Sequence, residues 1–464
     1  MARMPMSIGG SYLHRRPDVP QLVRRAWSIT LSLVACCILT TTAQGQGIYI
    51  PSVGPVNQSM SGAAAACPID SIGALNANPA TISGLRQSEV AFGLGIVLPT
   101  TSLGSSVAAN SLGAGLPPVD VAGFTDSEPG VCAVPTIGFI HRNDESPWTL
   151  GLGIFGVGGF SANYAASSTN PITMPQATAA TQIGGLGRIH AKAEVYQVVP
   201  TVSYAVSDKL SFGISPMLTL ANIAADPFFL APPNDADGDT FFRYGSGNGT
   251  RMAWGGGFQV GTYYITDADI RIGVSYKSPQ WLEPVRMNSE DELGNPTFFR
   301  YNFDLPSITT LGFAYSGFER WLLATDFRYF DYANADGFSQ QGFNADGSVA
   351  GLGWKSILSV SQGVQYQVGP RLSLQTGYTF NQNPITQGQT FFNVASSLVI
   401  QHWYSLGATF RFNDRVSATV AYTHGFENST TGPFHHPVFG PLAGTSVTTR
   451  VSADMLNAGI TVAY

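Results

Sequence analysis

Met455-Leu456-Asn457-Ala458-Gly459-Ile460-Thr461-Val462-Ala463-Tyr464 closes the sequence, and its side chains sort by parity. Successive side chains of an extended strand point to opposite faces, so Leu456, Ala458, Ile460, Val462 and Tyr464 share one of them. An apolar face of this kind suits a strand with lipid on one side and a lumen on the other. A soluble antiparallel sandwich alternates in the same way, so this stretch decides the fold only together with what precedes it.

The same period-two pattern recurs upstream. Ile270, Ile272, Val274 and Tyr276 oppose Arg271, Gly273, Ser275 and Lys277, and Leu372, Leu374, Tyr378 and Phe380 oppose Ser373, Gln375, Gly377 and Thr379. About fourteen such runs are expected, starting near 88, 132, 147, 188, 209, 250, 268, 297, 320, 353, 371, 399, 415 and 448. Their connections are of two kinds. Tight ones lie at Arg142 to Pro147, Ser207-Asp208, Thr266-Asp267, Gly317 to Glu319, Gly369-Pro370 and Asn413-Asp414, and long ones rich in Gly, Ser, Asn, Asp and Pro lie between them. An even number of strands, with short turns at one end and long loops at the other, is the pattern of an outer-membrane barrel. Pro216 interrupts the fifth run and predicts a local bulge. The aromatic residue at the end of the last run resembles the signal by which barrels are recognised for assembly, so the assembly machinery is an expected partner.

Composition agrees with a membrane barrel. Charged residues are 11% of the chain, apolar residues 44%, and glycine contributes 52, which is few charges for a water-covered surface. Arg3, Arg15, Arg16, Arg24 and Arg25 precede an apolar run from Ala26 to about Leu39, the order of a secretory signal peptide. Thr41, Ala43 and Gly45 offer cleavage after Ala43 or Gly45; Cys36 after Leu33-Val34-Ala35 leaves a lipoprotein signal as the alternative. Residues 1–43 are therefore set aside, leaving 18 basic and 28 acidic residues, a balance of −10 that suggests no nucleic-acid partner. The remaining chain has no uninterrupted run of 18 or more apolar residues, so a membrane helix is not expected. The other structure that can span a bilayer is a closed barrel.

Residues 44–87 precede the first strand and are too long for a mere leader. They contain Ser61-Gly62-Ala63-Ala64-Ala65-Ala66 and then Asn78-Pro79-Ala80, followed by the strand Glu89-Val90-Ala91-Phe92-Gly93. This order resembles the start of mature FadL-like outer-membrane proteins. Gly377-Tyr378-Thr379-Phe380-Asn381, Leu406-Gly407-Ala408-Thr409-Phe410 and Ala421-Tyr422-Thr423-His424-Gly425 resemble that family's late strands. The resemblance implies an all-β protein, a fourteen-stranded antiparallel transmembrane barrel over residues 88–464 with residues 44–87 as a hatch plugging the lumen. Asn78, Pro79 and Ala80 would belong to that hatch. It also implies passive uptake of hydrophobic small molecules, fatty acids or aromatic hydrocarbons, through a monomer in the outer membrane. Exit would run sideways near the third strand, where Gly151, Gly153, Gly156, Gly158 and Gly159 weaken pairing. A structural or adhesive barrel without transport is the alternative.

Other residues carry narrower expectations. Arg271, Lys277 and Arg328 should face the lumen, where they could meet a substrate's polar end or only pair with acids such as Asp326. Cys67 and Cys132 remain after the signal and are expected to form a disulfide in an oxidising compartment. Asp235, Asp237 and Asp239 have calcium-loop spacing, but Gly238 falls one place early, so a solvated acidic loop is preferred and no metal or cofactor is expected. Phe228, Phe229, Phe241, Phe242, Phe298 and Phe299 could form an outer landing site or pack the loops. No Gly-x-Ser-x-Gly or His-Glu-x-x-His is present, which speaks against an esterase or a zinc protease.

Overall fold

The computed structural model describes residues 47–464 apart from 114, 179–180, 182–183 and 248–250; the expected signal peptide lies outside the described residues. Fourteen strands form the wall: β1 (Glu89–Val107), β2 (Cys132–Arg142), β3 (Trp148–Tyr164), β4 (Ile189–Ala205), β5 (Leu210–Asp226), β6 (Ala253–Ile265), β7 (Ile270–Lys277), β8 (Ile308–Tyr315), β9 (Trp321–Phe330), β10 (Ile357–Gln367), β11 (Leu372–Asn381), β12 (His402–Arg411), β13 (Val416–Gly432) and β14 (Thr445–Ala463). Each pairs antiparallel with the next, and β1 pairs with both β2 and β14, which closes the sheet. A closed sheet leaves no unpaired edge for lipid to meet. Among the described residues no helix is long and apolar enough to cross a membrane.

Alternation decides which way each strand faces. On β14, Leu456, Ile460 and Val462 are exposed while Met455 and Asn457 are buried. On β1, Phe92, Leu94, Ile96 and Leu98 are exposed, and on β3 Trp148, Leu150, Leu152 and Ile154 are. These residues form the outer apolar belt. The stretch from Leu456 to Tyr464, at about 3.4 Å per residue and about 40° tilt, covers roughly 20 Å of height, close to the ~25 Å band of such barrels.

Two expectations about strands need correction. The eighth barrel strand begins at Ile308, not near 297, because residues around 297 belong to a loop hairpin that pairs Val285–Glu290 with Pro296–Tyr301. That hairpin also alternates, with Val285, Met287 and Ser289 buried and Arg286, Asn288 and Glu290 exposed, so parity alone could not tell it from the wall. Pro216 produces no bulge. Its pairing with Phe258 on β6 is regular, and the pairing of β4 with β5 resumes at Val202 and Ile214 in the register it had at Val198 and Leu218.

Residues 47–82 are almost all buried against the inner face of the wall, while Gly84, Arg86 and Gln87 are exposed. This segment forms two short helices, α1 (Pro55–Ser59) and α2 (Ser71–Ala77), and a 3₁₀ turn at Pro79–Gly84. The wall accommodates them through inward glycines: a β-carbon at Gly151 would lie 2.6 Å from Leu75 Cδ2, at Gly138 2.9 Å from Ile72 Cγ1, at Gly363 2.7 Å from the Met60 carbonyl oxygen and at Gly459 2.7 Å from Pro55 Cγ. Such separations are too short for real carbon contacts, so the smallest residue is required where wall and segment meet. Hydrogen bonds from several sides hold the segment. Asp326 Oδ2 accepts from the Ala64 and Ala65 N–H groups, each at 2.9 Å; Gln58 Nε2 donates to the Met455 carbonyl at 3.2 Å; and Thr379 Oγ1 donates to the Ser61 carbonyl at 2.7 Å. Asn78 Oδ1 accepts from the Ala80 N–H at 3.1 Å, capping the turn that Pro79 begins. Its Nδ2 donates to the carbonyls of Ala65 and Thr262, each at 2.9 Å, which ties the corner to its own segment and to β6.

Candidate functional site

The third strand is irregular. Gly156 pairs with Tyr196 and Gly158 with Val195, which leaves Val157 as an extra residue, a bulge. The bulge turns backbone groups inward, and residues 48–50 of the N-terminal segment meet them: Ile50 N–H donates to the Val157 carbonyl at 3.1 Å, and Gly159 N–H donates to the Ile48 carbonyl at 2.9 Å. A side chain at Gly158 would run into the Ile48 carbonyl. Of the five glycines singled out on this strand, Gly151 and Gly158 make room for the segment, Gly159 has φ +150°, and Gly156 lies beside Val134 of β2. Gly153 is covered by the Phe155 ring.

The wall between β2 and β3 is incomplete above this point. Their ladder ends at Thr136 opposite Phe155, and hydrogen bonding resumes only higher, where β3 meets the segment before β2: Asn163 N–H donates to Ser127 Oγ and Ser161 Oγ to the Pro129 carbonyl, each at 2.8 Å. A cavity of about 1120 Å³, partly open to solvent, occupies this place. Lumenal residues Trp403, Val451 and Met455 line it together with Glu194 and Tyr196, whose strand neighbours Ala193 and Val195 are buried. The cavity thus touches both sides of the wall.

Two further cavities adjoin it. One of about 610 Å³ shares Phe160, Ala395 and Ser396 with the first and lies among Phe228, Tyr301, Phe303, Phe338 and Trp354 beneath the long loops. The other, of about 560 Å³, shares Tyr49, Ile50 and Pro51 and is polar, lined by Gln259, Lys277, Asp326 and Arg328. Arg328 donates to the Pro51 carbonyl at 3.1 Å and to Ser361 Oγ at 2.5 Å. Lys277 and Arg328 therefore share a cavity. Arg271 is not with them: it donates to Ser316 Oγ at 3.2 Å. Asp326 binds backbone N–H groups rather than forming an ion pair with any of the three.

The cysteines do not pair. Both are free; Cys67 packs with Ala314 of β8 and Ala324 of β9, whereas Cys132 starts β2 opposite Val97 on another part of the wall. Asp237 and Asp239 turn to Arg243 at 2.9 and 2.7 Å, and Glu292 meets the same guanidinium at 3.2 Å, so this acidic loop carries its own cation. The loop aromatics divide. Phe228 and Phe229 are buried, and Phe299 stacks on Phe228 at 5.9 Å, while Phe242 and Phe298 are exposed. In the same loops burial pushes the Tyr244 phenol up to about 12, and its hydroxyl donates to the Gly347 carbonyl. The bulge, the polar cavity and the interrupted ladder had no sequence signal beyond glycine richness.

A closed fourteen-stranded barrel with an outward apolar belt and a buried N-terminal segment defines a transmembrane channel of the outer-membrane type. The chain belongs to the outer membrane transport protein family (OMPP1/FadL/TodX), which it matches over residues 34–464. It is a transport protein of the outer membrane, not an enzyme. Its fold is similar to that of the Pseudomonas putida toluene transporter TodX (17% identity, TM-score 0.61, covering 91% of this chain and 99% of that one). It is similar as well to a Pseudomonas aeruginosa FadL homologue (13%, 0.66, 90% and 99%) and to the Ralstonia pickettii toluene transporter TbuX (16%, 0.63, 89% and 99%). No curated protein matches the sequence.

Proposed function

We propose that the protein takes small hydrophobic molecules from outside the cell into the outer membrane without an energy source, and that residues 44–87 act as a hatch that blocks the lumen meanwhile. The observation that carries this reading is the cavity at the interrupted β2–β3 ladder, lined by residues from both sides of the wall. An apolar solute would enter beneath the loops among Phe228, Phe303 and Trp354, move into the adjoining cavity and leave sideways past Gly156 and Gly158. Burial of apolar surface favours every step, because each cavity wall and the lipid beyond are less polar than water. The hatch excludes water-soluble solutes, for which a fourteen-stranded barrel would otherwise be wide enough. Because some proteins of this fold transport toluene, small aromatic hydrocarbons are suitable first probes.

The passage can be locked reversibly. A β-carbon at Gly156 would stand 3.7 Å from Val134 Cβ, inside the ~3.5–4.5 Å range of disulfides. In a Cys132→Ser background, Val134→Cys with Gly156→Cys should form a staple across the rim. Uptake of labelled toluene or fatty acid into liposomes should fall about tenfold on oxidation and return on reduction. Full uptake with the disulfide confirmed by mass spectrometry would remove the lateral route.

A further inference from the structure

The bulge of β3 changes which way the strand faces. Ahead of it Trp148, Leu150, Leu152 and Ile154 are exposed on the outer belt, and Ile154 pairs with Val198 of β4. Successive side chains of a strand alternate, so without an extra residue Phe160 would point into lipid as they do. Val157 is that extra residue, and beyond it the even-numbered positions turn inward: Phe160 pairs with the buried Ala193, and Ala162 and Tyr164 are themselves buried. Phe160 therefore stands in the lumen. There it packs against both of the larger apolar clusters and lines both the cavity beneath the loops and the cavity at the interrupted ladder. Among the described residues only Ala395 and Ser396 line the two with it. The two sides of this neck differ. Ala395 and Ser396 are small and buried, and the turn that carries them is tied down. Ser396 N–H donates to the Asn393 carbonyl at 3.0 Å, Trp354 Nε1 donates to Asn393 Oδ1 at 2.6 Å, and Asn393 Nδ2 donates to the Leu352 and Gln389 carbonyls, each at 2.8 Å. The rings beneath the loops hold one another, Phe303 with Phe338 at 5.0 Å and Phe338 with Trp354 at 4.6 Å. Phe160 stacks on no described ring and has a cavity on either side.

We propose that Phe160 gates the neck between the loop cavity and the lateral cavity. Its swing against the fixed edge of Ala395 and Ser396 admits slender apolar solutes, single rings and unbranched chains, and holds back heavily branched ones. This rests on the lateral passage proposed above and adds what selects among its solutes. Packing makes the ring selective. A phenyl side chain moves between a few staggered rotamers and so clears a fixed space, while the opposite edge can retreat only by breaking its hydrogen bonds. A thin solute replaces the contacts that the displaced ring gives up. A broad one must also force the packed edge apart, which interiors resist. The bulge thus acts twice, because the extra residue that re-aims the backbone also brings a ring to the way that leads there.

The test measures uptake of labelled toluene and of labelled tri-isopropylbenzene into asymmetric vesicles with lipopolysaccharide in the outer leaflet, which slows entry without the channel. The wild type should favour toluene by about 10- to 200-fold, the range over which apolar pockets sense added bulk. Phe160→Ala should cut that ratio about tenfold or more. Phe160→Leu should give an intermediate ratio and Phe160→Trp a higher one, whereas a folding defect would slow both solutes alike and leave the ratio where it was. A wild-type ratio in both Phe160→Ala and Phe160→Leu, or a wild type that takes up the two solutes equally, would overturn the proposal. The reversible staple separates the two readings. If Phe160→Ala keeps the wild-type ratio while oxidised Val134→Cys with Gly156→Cys still stops toluene, the gate falls and the passage stands; if the oxidised staple leaves toluene uptake whole, the passage falls and the gate with it.

Discussion

Asp326→Asn should loosen the hatch without disturbing the wall. Asp326 Oδ2 accepts two N–H groups, from Ala64 and Ala65, each at 2.9 Å, and its side chain is buried on β9. A hydrogen bond to a charged acceptor contributes about 1.5–3 kcal/mol and one to a neutral acceptor about 0.5–1.5. Asparagine keeps the shape and one oxygen but removes the charge, so each bond should weaken by about 1–1.5 kcal/mol, roughly 2–3 kcal/mol for the pair. At 1.36 kcal/mol per tenfold, the population with the segment displaced should rise about 30- to 150-fold. The assay is single-channel recording in planar bilayers, counting time spent in large conductance states. Glu319→Gln, on an exposed turn far from the segment, is the control and should record as the wild type does. A variant that still resists heat unfolding on gels but shows no additional openings would refute the idea that Asp326 holds the segment in place.

Other outcomes follow from the same contacts. Deleting residues 44–80 should turn the barrel into a large nonselective pore, and a folded deletion variant with wild-type conductance and uptake would rule out the hatch. Gly138→Val should lower stability by about 1–3 kcal/mol, since its β-carbon would meet Ile72 Cγ1 at 2.9 Å; denaturant titration followed by gel mobility measures this. In protein isolated from membranes, a maleimide should label the partly exposed Cys132 and leave Cys67, 2% exposed, unlabelled until unfolding. Mass spectrometry that finds the two joined would contradict the packing described above.

Much of the wall was legible because the bilayer imposes a rule on every strand: apolar residues must face out, and the period is two. Where that rule does not apply, reading failed. The hairpin at Val285–Glu290 and Pro296–Tyr301 alternates because one face packs on the loops, and it passed for a barrel strand. Compartment alone argues for a disulfide, and it says nothing about where the two cysteines sit, Cys67 against β8 and β9 and Cys132 on β2, with five strands between β2 and β8. Lys277 and Arg328 could be assigned to the lumen by parity, but parity gives a face and not a height or a neighbour. Their meeting in one cavity, and the separation of Arg271 from them, depend on register between strands. The glycines of β3 were visible as a cluster. That two of them yield to an inner segment while one bulge re-aims the backbone required coordinates.

Pro55 lies against Gly93 and Gly459, which face each other across the first and last strands. Gln58, three residues on, reaches Met455, 397 positions away in sequence. The part of the described chain that is synthesised earliest thus rests on the junction between the first and the last strand. Contacts so distant along a chain are slow to form, because the closure entropy of the whole loop must be met first. Until β14 reaches β1 the segment lacks this part of its seat, so its complete docking requires the closed circle. The seam of the barrel and the seat of its inner segment are thus one and the same place, and a barrel left unclosed would hold that segment less completely.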